Sequence, residues 1–292
     1  MSIATFKFKS ELRGLLALGL PIILTQLIQV SNTTVAILMM GRVGSIELAA
    51  VGLGGAFMIF VFLACLGVMM SLSPTIAQHF GAGRNDSIRH AFQQGLWLAV
   101  GTGAGAFFLL RQMGRLMHWM AVDPEVIPLA QAYLDIAAWS MPSVCIYMAF
   151  RFLCEATGHS RPMLVVNIAT LPVVVAGNWA LIFGHWGLPT LGVEGAAFNL
   201  ILVMMLNALG LVLFVLVSER YRVRRLFSLF QWPSRECFIL LKLGLPIAGT
   251  LVLDAGFFSA IALLMGKMGY VWLAAHQVAI NYATVAFMIP VS

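Results

Sequence analysis

The chain has 292 residues, 61% of them hydrophobic and only 10% charged, where an average soluble domain carries about 25% charged residues. With a mean hydropathy of +0.96 it has too little polar surface to coat a water-soluble globule, which excludes an ordinary soluble enzyme or binding domain. Its net charge of +6 does not point to nucleic acid either. The basic residues fall in short clusters between long apolar runs, the pattern of a polytopic membrane protein.

The N-terminus carries Lys7, Lys9 and Arg13, then turns apolar, and residues 14–41 form a run of 28 without a charge. No small-x-small cleavage site follows a short apolar core, so the segment reads as a retained first span and not as a signal peptide. About 20 apolar residues cross a bilayer as helix. By that measure spans are predicted at 15–40, 48–77, 93–110, 131–150, 163–183, 196–217 and 243–265, with an eighth starting near 273. With the N-terminus inside, Lys7, Lys9, Arg13, Arg84, Arg89, Arg151, Arg161, Arg220, Arg222, Arg224, Arg225, Arg235 and Lys242 fall on the inner side. Only Arg42, Arg111, Arg115 and Lys267 fall outside. The positive-inside rule therefore predicts a cytoplasmic N-terminus.

An internal repeat organises the chain. Residues 18–22 and 243–247 both read LGLPI, an offset of 225. At the same ungapped offset Met40-Gly41-Arg42-Val43-Gly44 falls on Met265-Gly266-Lys267-Met268-Gly269, and Leu48-Ala49-Ala50 on Leu273-Ala274-Ala275. Six spans, an even number, separate the copies, so both start on the same side and the repeat is parallel, a known transporter plan. The predicted fold is all-α: a polytopic membrane protein with a six-helix N-terminal lobe (1–217), a basic cytoplasmic linker (218–242) and the first two helices of an incomplete C-terminal lobe (243–292). A complete second copy needs further residues, so the chain is expected to be a truncated form.

Asp254 is the leading functional candidate. It lies twelve residues after Lys242 and thirteen before Lys267, about 18–20 Å from each along a helix, and so near the bilayer midplane. A carboxylate there costs about 2.5–3.5 kcal/mol, and intramembrane acids are functional by default. Such a group suits exchange of a proton or sodium ion for a cationic ligand. Its repeat mate is Gln29, in a first span made polar at its centre by Gln29, Ser31, Asn32, Thr33 and Thr34. Asn178 and Trp179 follow Pro172 and Gly177 in the fifth span, and His276, Gln277 and Asn281 lie in the eighth. These polar groups read equally as cavity lining or as interhelical hydrogen bonding.

Pro21, Pro142, Pro172 and Pro246 are read as span breaks. Gly101 and Gly105 have the GxxxG spacing of close helix packing. Cys65, Cys145, Cys154 and Cys237 lack metal-ligand spacing and read as small hydrophobes. The six histidines include no i, i+4 pair, so no metal site is expected. Gly81-Ala82-Gly83 lacks the GxxxxGK(S/T) pattern, so no phosphate loop or ATP-driven pump is expected. No convincing nucleophile–base pair lies in the spans, which speaks against an intramembrane enzyme.

Several segments resemble the multidrug and toxic compound extrusion (MATE) family in its bacterial NorM-like branch. They are Met40-Gly41-Arg42-Val43-Gly44 followed by Leu48-Ala49-Ala50-Val51-Gly52; Gln78-His79-Phe80-Gly81-Ala82-Gly83; Leu243-Gly244-Leu245-Pro246; and Ala274-Ala275-His276-Gln277-Val278-Ala279. The resemblance implies twelve spans in two lobes across a cleft, and export of cationic drugs by antiport against H+ or Na+. It assigns Asp254 to coupling, and Gln277, Asn281 and Asn178 to the cavity. Ala36 stands where relatives carry a first-span aspartate, and Val174 where they carry a second asparagine.

The reading is a secondary multidrug antiporter of the bacterial inner membrane, acting as a monomer on small organic cations within the lipid bilayer. It needs no cofactor beyond the coupling ion and has no nucleic-acid partner. The alternatives are a non-transporting remnant of such a transporter, or a flippase for lipid-linked precursors. A flippase needs several Arg or Lys inside the spans, where only Arg151 at a boundary is found.

Overall fold

A computed structural model gives the fold and describes residues 19, 21–29, 34–119, 125–185, 189–222, 226, 231–268 and 279. The all-α class predicted above is what it shows. In chain order the helices are α1 (Pro21–Met40, with 30–33 outside the described residues), α2 (Ser45–Met70), α3 (Leu72–Gly81), α4 (Asn85–Arg111), α5 (Met113–Trp119), α6 (Val126–Ala137), α7 (Ser140–Ala156), α8 (Arg161–Phe183), α9 (Gly192–Val217), α10 (Glu219–Arg222) and α11 (Arg235–Met268). Among the described residues, five stretches are long and apolar enough to cross a membrane: Pro21–Met40, Ile46–Gly81, Arg161–Phe183, Gly192–Val217 and Arg235–Ile261. The bent pair α6–α7 makes a sixth if it counts as one span. The predicted third span lies in α4, where His90, Gln93, Gln94 and the glycines dilute the apolar character. The predicted eighth span lies outside the described residues except for Ala279.

Prolines decide where helices break. A proline ring crowds the carbonyl four residues back and offers it no N–H. Pro142 lies four residues after Ala138, where α6 and α7 meet at a 46° bend. Pro74 lies four residues after Met70, the end of α2, and Ser71 Oγ donates to Val68 O (2.8 Å) at that joint. Pro172 and Pro246, by contrast, sit inside continuous helices, and Pro21 is helical, two residues after the helical Gly19. Of the four prolines read as breaks, only Pro142 marks one. Asp135 lies inside α6 just before the bend.

In lipid, close packing and not water exclusion drives helices together, so small residues mark the tight crossings. Val166 faces Gly210, Gly177 faces Asn199 and Leu181 faces Gly195. As one number rises its partner falls, so α8 and α9 run antiparallel. An added Cβ at Gly244 of α11 would press on the Val68 backbone of α2, and one at Gly67 on the Ala248 backbone; α11 thus lies hard against the first lobe. The expected GxxxG pair, Gly101 and Gly105, faces open space, and Gly103 between them meets Pro142 of α7 instead. Eleven of the 17 residues of α7 are buried, with Phe150 edge-on to Phe92 of α4 at 5.1 Å, so α7 is the central helix of the lobe.

The two LGLPI segments share one local bond. Thr25 Oγ1 donates to Pro21 O (2.8 Å), and Thr250 Oγ1 to Pro246 O (3.0 Å), 225 residues on.

The connection between α10 and α11 is clasped by α4. Gln93 Nε2 donates to Leu226 O (2.9 Å) while its Oε1 accepts from Gln231 N (3.3 Å). Gln94 repeats the grip, donating to Trp232 O (3.1 Å) and accepting from Ser234 N (2.8 Å). Trp97 Nε1 donates to Gln231 O (3.0 Å), and its ring stacks on Trp232. Thr157 at the end of α7 shares a hydrogen bond with Tyr221 of α10 (2.8 Å). The start of α4, the α7–α8 loop and the linker therefore occupy one end of the bundle, as the span count requires. α11 begins at Arg235, so the last eight residues of the expected linker are helix.

Candidate functional site

α8 carries a polar stripe. Asn167, Thr170, Val174 and Asn178 recur at steps of three and four, which puts them on one helix face, and all are buried. α9 answers with Asn199, Val203 and Asn207, four apart and also buried. Thr170 Oγ1 donates to Asn207 Oδ1 (3.0 Å) and Asn199 Nδ2 to Val174 O (3.1 Å). Asn167 Nδ2 donates to Tyr147 Oη of α7 (2.9 Å) and to Met163 O (2.8 Å). The stripe thereby ties α7, α8 and α9 together.

Two of its oxygens, Asn167 Oδ1 and Asn199 Oδ1, are buried without a hydrogen-bond donor. Turning either amide over would set oxygen against a carbonyl oxygen, so the orientation is fixed by its partners. Orphaned acceptors in a dry interior are costly, and neutral carbonyl oxygens are the ligand type a hard cation takes. Gly177 makes room for this arrangement, because a Cβ there would collide with the Asn199 amide.

Of the candidates read from the sequence, Asn178 lies in this buried stripe. Its neighbour Trp179 turns outward, with its ring stacked on His185 at 3.9 Å. Gln29 is half-buried on α1. Asn32, Gln277 and Asn281 lie outside the described residues, as does His276. Asp254 sits within α11, exposed among Leu253, Phe257 and Phe258 on a side that the first lobe leaves uncovered. It has no hydrogen-bond or ion-pair partner among the described residues. Asn167, Thr170, Asn199 and Asn207 were missed from the sequence, although their three- and four-residue spacing was readable there. Arg151 is engaged: its Nε donates to Glu155 Oε1 at 2.7 Å, both groups being largely buried.

The family profile described as MatE matches residues 21–180. The chain belongs to the MatE family. Its similar proteins include the probable multidrug resistance protein NorM of Agrobacterium fabrum, 33% identical over 96% of this chain and 61% of that protein. The multidrug resistance protein PmpM of Pseudomonas aeruginosa is 34% identical over 98% of this chain and 60% of its own length. The MatE fold is equally clear in space. The eukaryotic MATE transporter AtDTX14 superposes with a TM-score of 0.82 at 18% identity, covering 97% of this chain and 63% of that one. An outward-facing multidrug resistance MATE family transporter gives 0.82 at 19% identity, over 95% and 61%. This MatE chain spans about 61% of the length of the curated relatives it matches.

Proposed function

We propose that this chain forms the first lobe and the start of the second lobe of a secondary antiporter exporting small organic cations against H+ or Na+. The observation that carries the reading is Asp254, a carboxylate within an apolar helix, on the side left uncovered by the first lobe, in a chain whose relatives are named multidrug resistance proteins. A bare charge at a helix centre costs about 2.5–3.5 kcal/mol. A proton or sodium ion offsets that cost in one state and a cationic ligand in the other, so the two compete for one carboxylate. Facing out, Asp254 takes up the ion and releases the ligand; facing in, it loses the ion and accepts the next ligand. Where the family resemblance implies a first-lobe acid there is Ala36. The asparagine stripe of α8 and α9 therefore offers only neutral oxygens, and coupling rests on Asp254.

In this reading the linker end, with its arginines, faces the cytoplasm, and the monomer sits in a bacterial inner membrane. A flippase for pyrophosphate-linked lipids is disfavoured because Arg151 is paired with Glu155. The test is efflux of a cationic dye from cells expressing the 292-residue chain as wild type, Asp254→Asn and Asp254→Glu. The expected result is export that Asp254→Asn abolishes and Asp254→Glu partly restores. Undiminished export by Asp254→Asn refutes the role of Asp254, and no export by a well-expressed wild type favours a non-transporting remnant.

A further inference from the structure

α4 changes character along its length. Its first turns carry Asn85, Asp86, Arg89, His90, Gln93 and Gln94, whereas residues 95–110 hold no charge before Arg111. That apolar stretch is about 24 Å of helix, so the step from Gln94 to Gly95 marks the edge of the hydrocarbon core on the linker side. The linker crosses α4 at this edge. Gln93, Gln94 and Trp97 hold the backbone of residues 231–234 by four hydrogen bonds.

The strap so fixed presents Trp232 outward. One face of its ring stacks on Trp97, with centroids 5.9 Å apart and planes 15° apart. The rest of the side chain is bare: Trp232 is 81% exposed, and its indole N–H has no hydrogen-bond partner among the described residues. A large apolar ring with one N–H is suited to the headgroup layer, where tryptophan gathers at the ends of spans. Arg235, three residues on, opens α11 and is exposed, with no ion pair among the described residues. The charges beside it are already engaged. Glu236 Oε2 lies 3.1 Å from His90 Nε2, and Arg89 Nη2 lies 3.2 Å from Asp86 Oδ1. Arg235 thus keeps its guanidinium for a phosphate from outside the chain. Phe238, one turn further along α11 and 66% exposed, extends the apolar patch.

We infer that residues 231–238 form a membrane-surface anchor. The Trp232 ring lies among the phospholipid headgroups of the leaflet on the linker side, and its N–H donates to a lipid oxygen. Arg235 pairs with lipid phosphate and favours anionic lipid. The sign of the charge fits, because an anionic leaflet attracts basic residues next to a span, and Arg220, Arg222, Arg224 and Arg225 precede the strap in the chain. The end of the linker is then pinned between α4 and the bilayer and does not hang free in the cytoplasm. None of this depends on what the chain exports.

The test uses the full 292-residue chain in phospholipid nanodiscs. The emission of Trp232 is isolated as the difference between wild type and Trp232→Phe, which keeps a ring on Trp97; thermal unfolding confirms that each variant is folded. Lipid brominated near the top of its acyl chains is expected to quench this emission about threefold more than lipid brominated near the chain ends. Iodide in the buffer should reach it several-fold less than it reaches a free indole. In discs of equal parts phosphatidylcholine and phosphatidylglycerol, moving the bromine from the choline to the glycerol lipid should raise quenching about threefold, and Arg235→Gln should erase that difference. Quenching by iodide as strong as that of free indole places the ring in water and overturns the anchor. Protection from both iodide and brominated lipid means that a protein surface, such as a second copy of the chain, covers the ring, and overturns it as well. Equal quenching by the two brominated lipids in the wild type overturns the assignment of Arg235.

Discussion

At the scale of single residues, the amides of α8 and α9 show how a membrane interior treats polar groups. Thr170 and Asn207 satisfy one another across the helix pair, and Asn199 reaches a backbone carbonyl of the facing helix. Interhelical bonds of this kind contribute about 0.6 kcal/mol on average and up to about 1.7. A double-mutant cycle of Thr170→Val and Asn207→Leu, read by unfolding in detergent, is expected to give a coupling within that range, and a coupling of zero would remove the bond from the account. Gly177 matters in the same place for its missing side chain. Gly177→Ala should lower thermal stability, and Asn199→Gly added to it should restore part of the loss, because the atoms nearest to the added Cβ are those of the Asn199 amide.

Among the helices, two breaks fall four residues ahead of a proline, at Ala138 before Pro142 and at Met70 before Pro74, and at the first the Ala138 carbonyl is taken up by Met141 N (3.0 Å). By contrast, α8 and α11 absorb Pro172 and Pro246 without interruption. The clasp of α4 on the linker is a second property of elements. Gln94→Leu removes two hydrogen bonds, each contributing about 0.5–1.5 kcal/mol. Limited proteolysis of the linker is expected to speed up about tenfold in that variant, while the rest of the lobe stays resistant. An unchanged cleavage rate would mean that the clasp does not hold the linker in solution.

For the whole molecule, the repeat makes a prediction about a contact not yet seen. Gly67 of α2 lies against Ala248 of α11. Under a two-fold relation with an offset of 225, the mates of these residues are Ser292 and Ile23. Cysteines placed at residues 23 and 292, in a chain whose own four cysteines are replaced, should cross-link with a short bifunctional reagent in membranes. Failure across a scan of residues 22–26 against 292 would rule out the two-fold relation. The two LGLPI copies already share one local feature, a Thr hydroxyl bonded to the proline carbonyl four residues back.

The helical class, most of the spans, the linker end and the family were legible in the order of residues alone. In lipid each span must satisfy its own backbone, so hydropathy runs and charge clusters announce a helix without reference to anything it touches. What the order of residues could not show is which faces meet. Gln93 and Gln94 grip residues 133 to 140 positions away. Arg111, Arg115, Gln131 and Asp135 share one recess only because α4, α5 and α6 converge there. Gly101 and Gly105 carried the expected packing motif, yet the helix turned that face outward and used Gly103. Contacts between distant segments depend on the relative rotation of packed helices, which a local pattern leaves undetermined and only the tertiary structure decides.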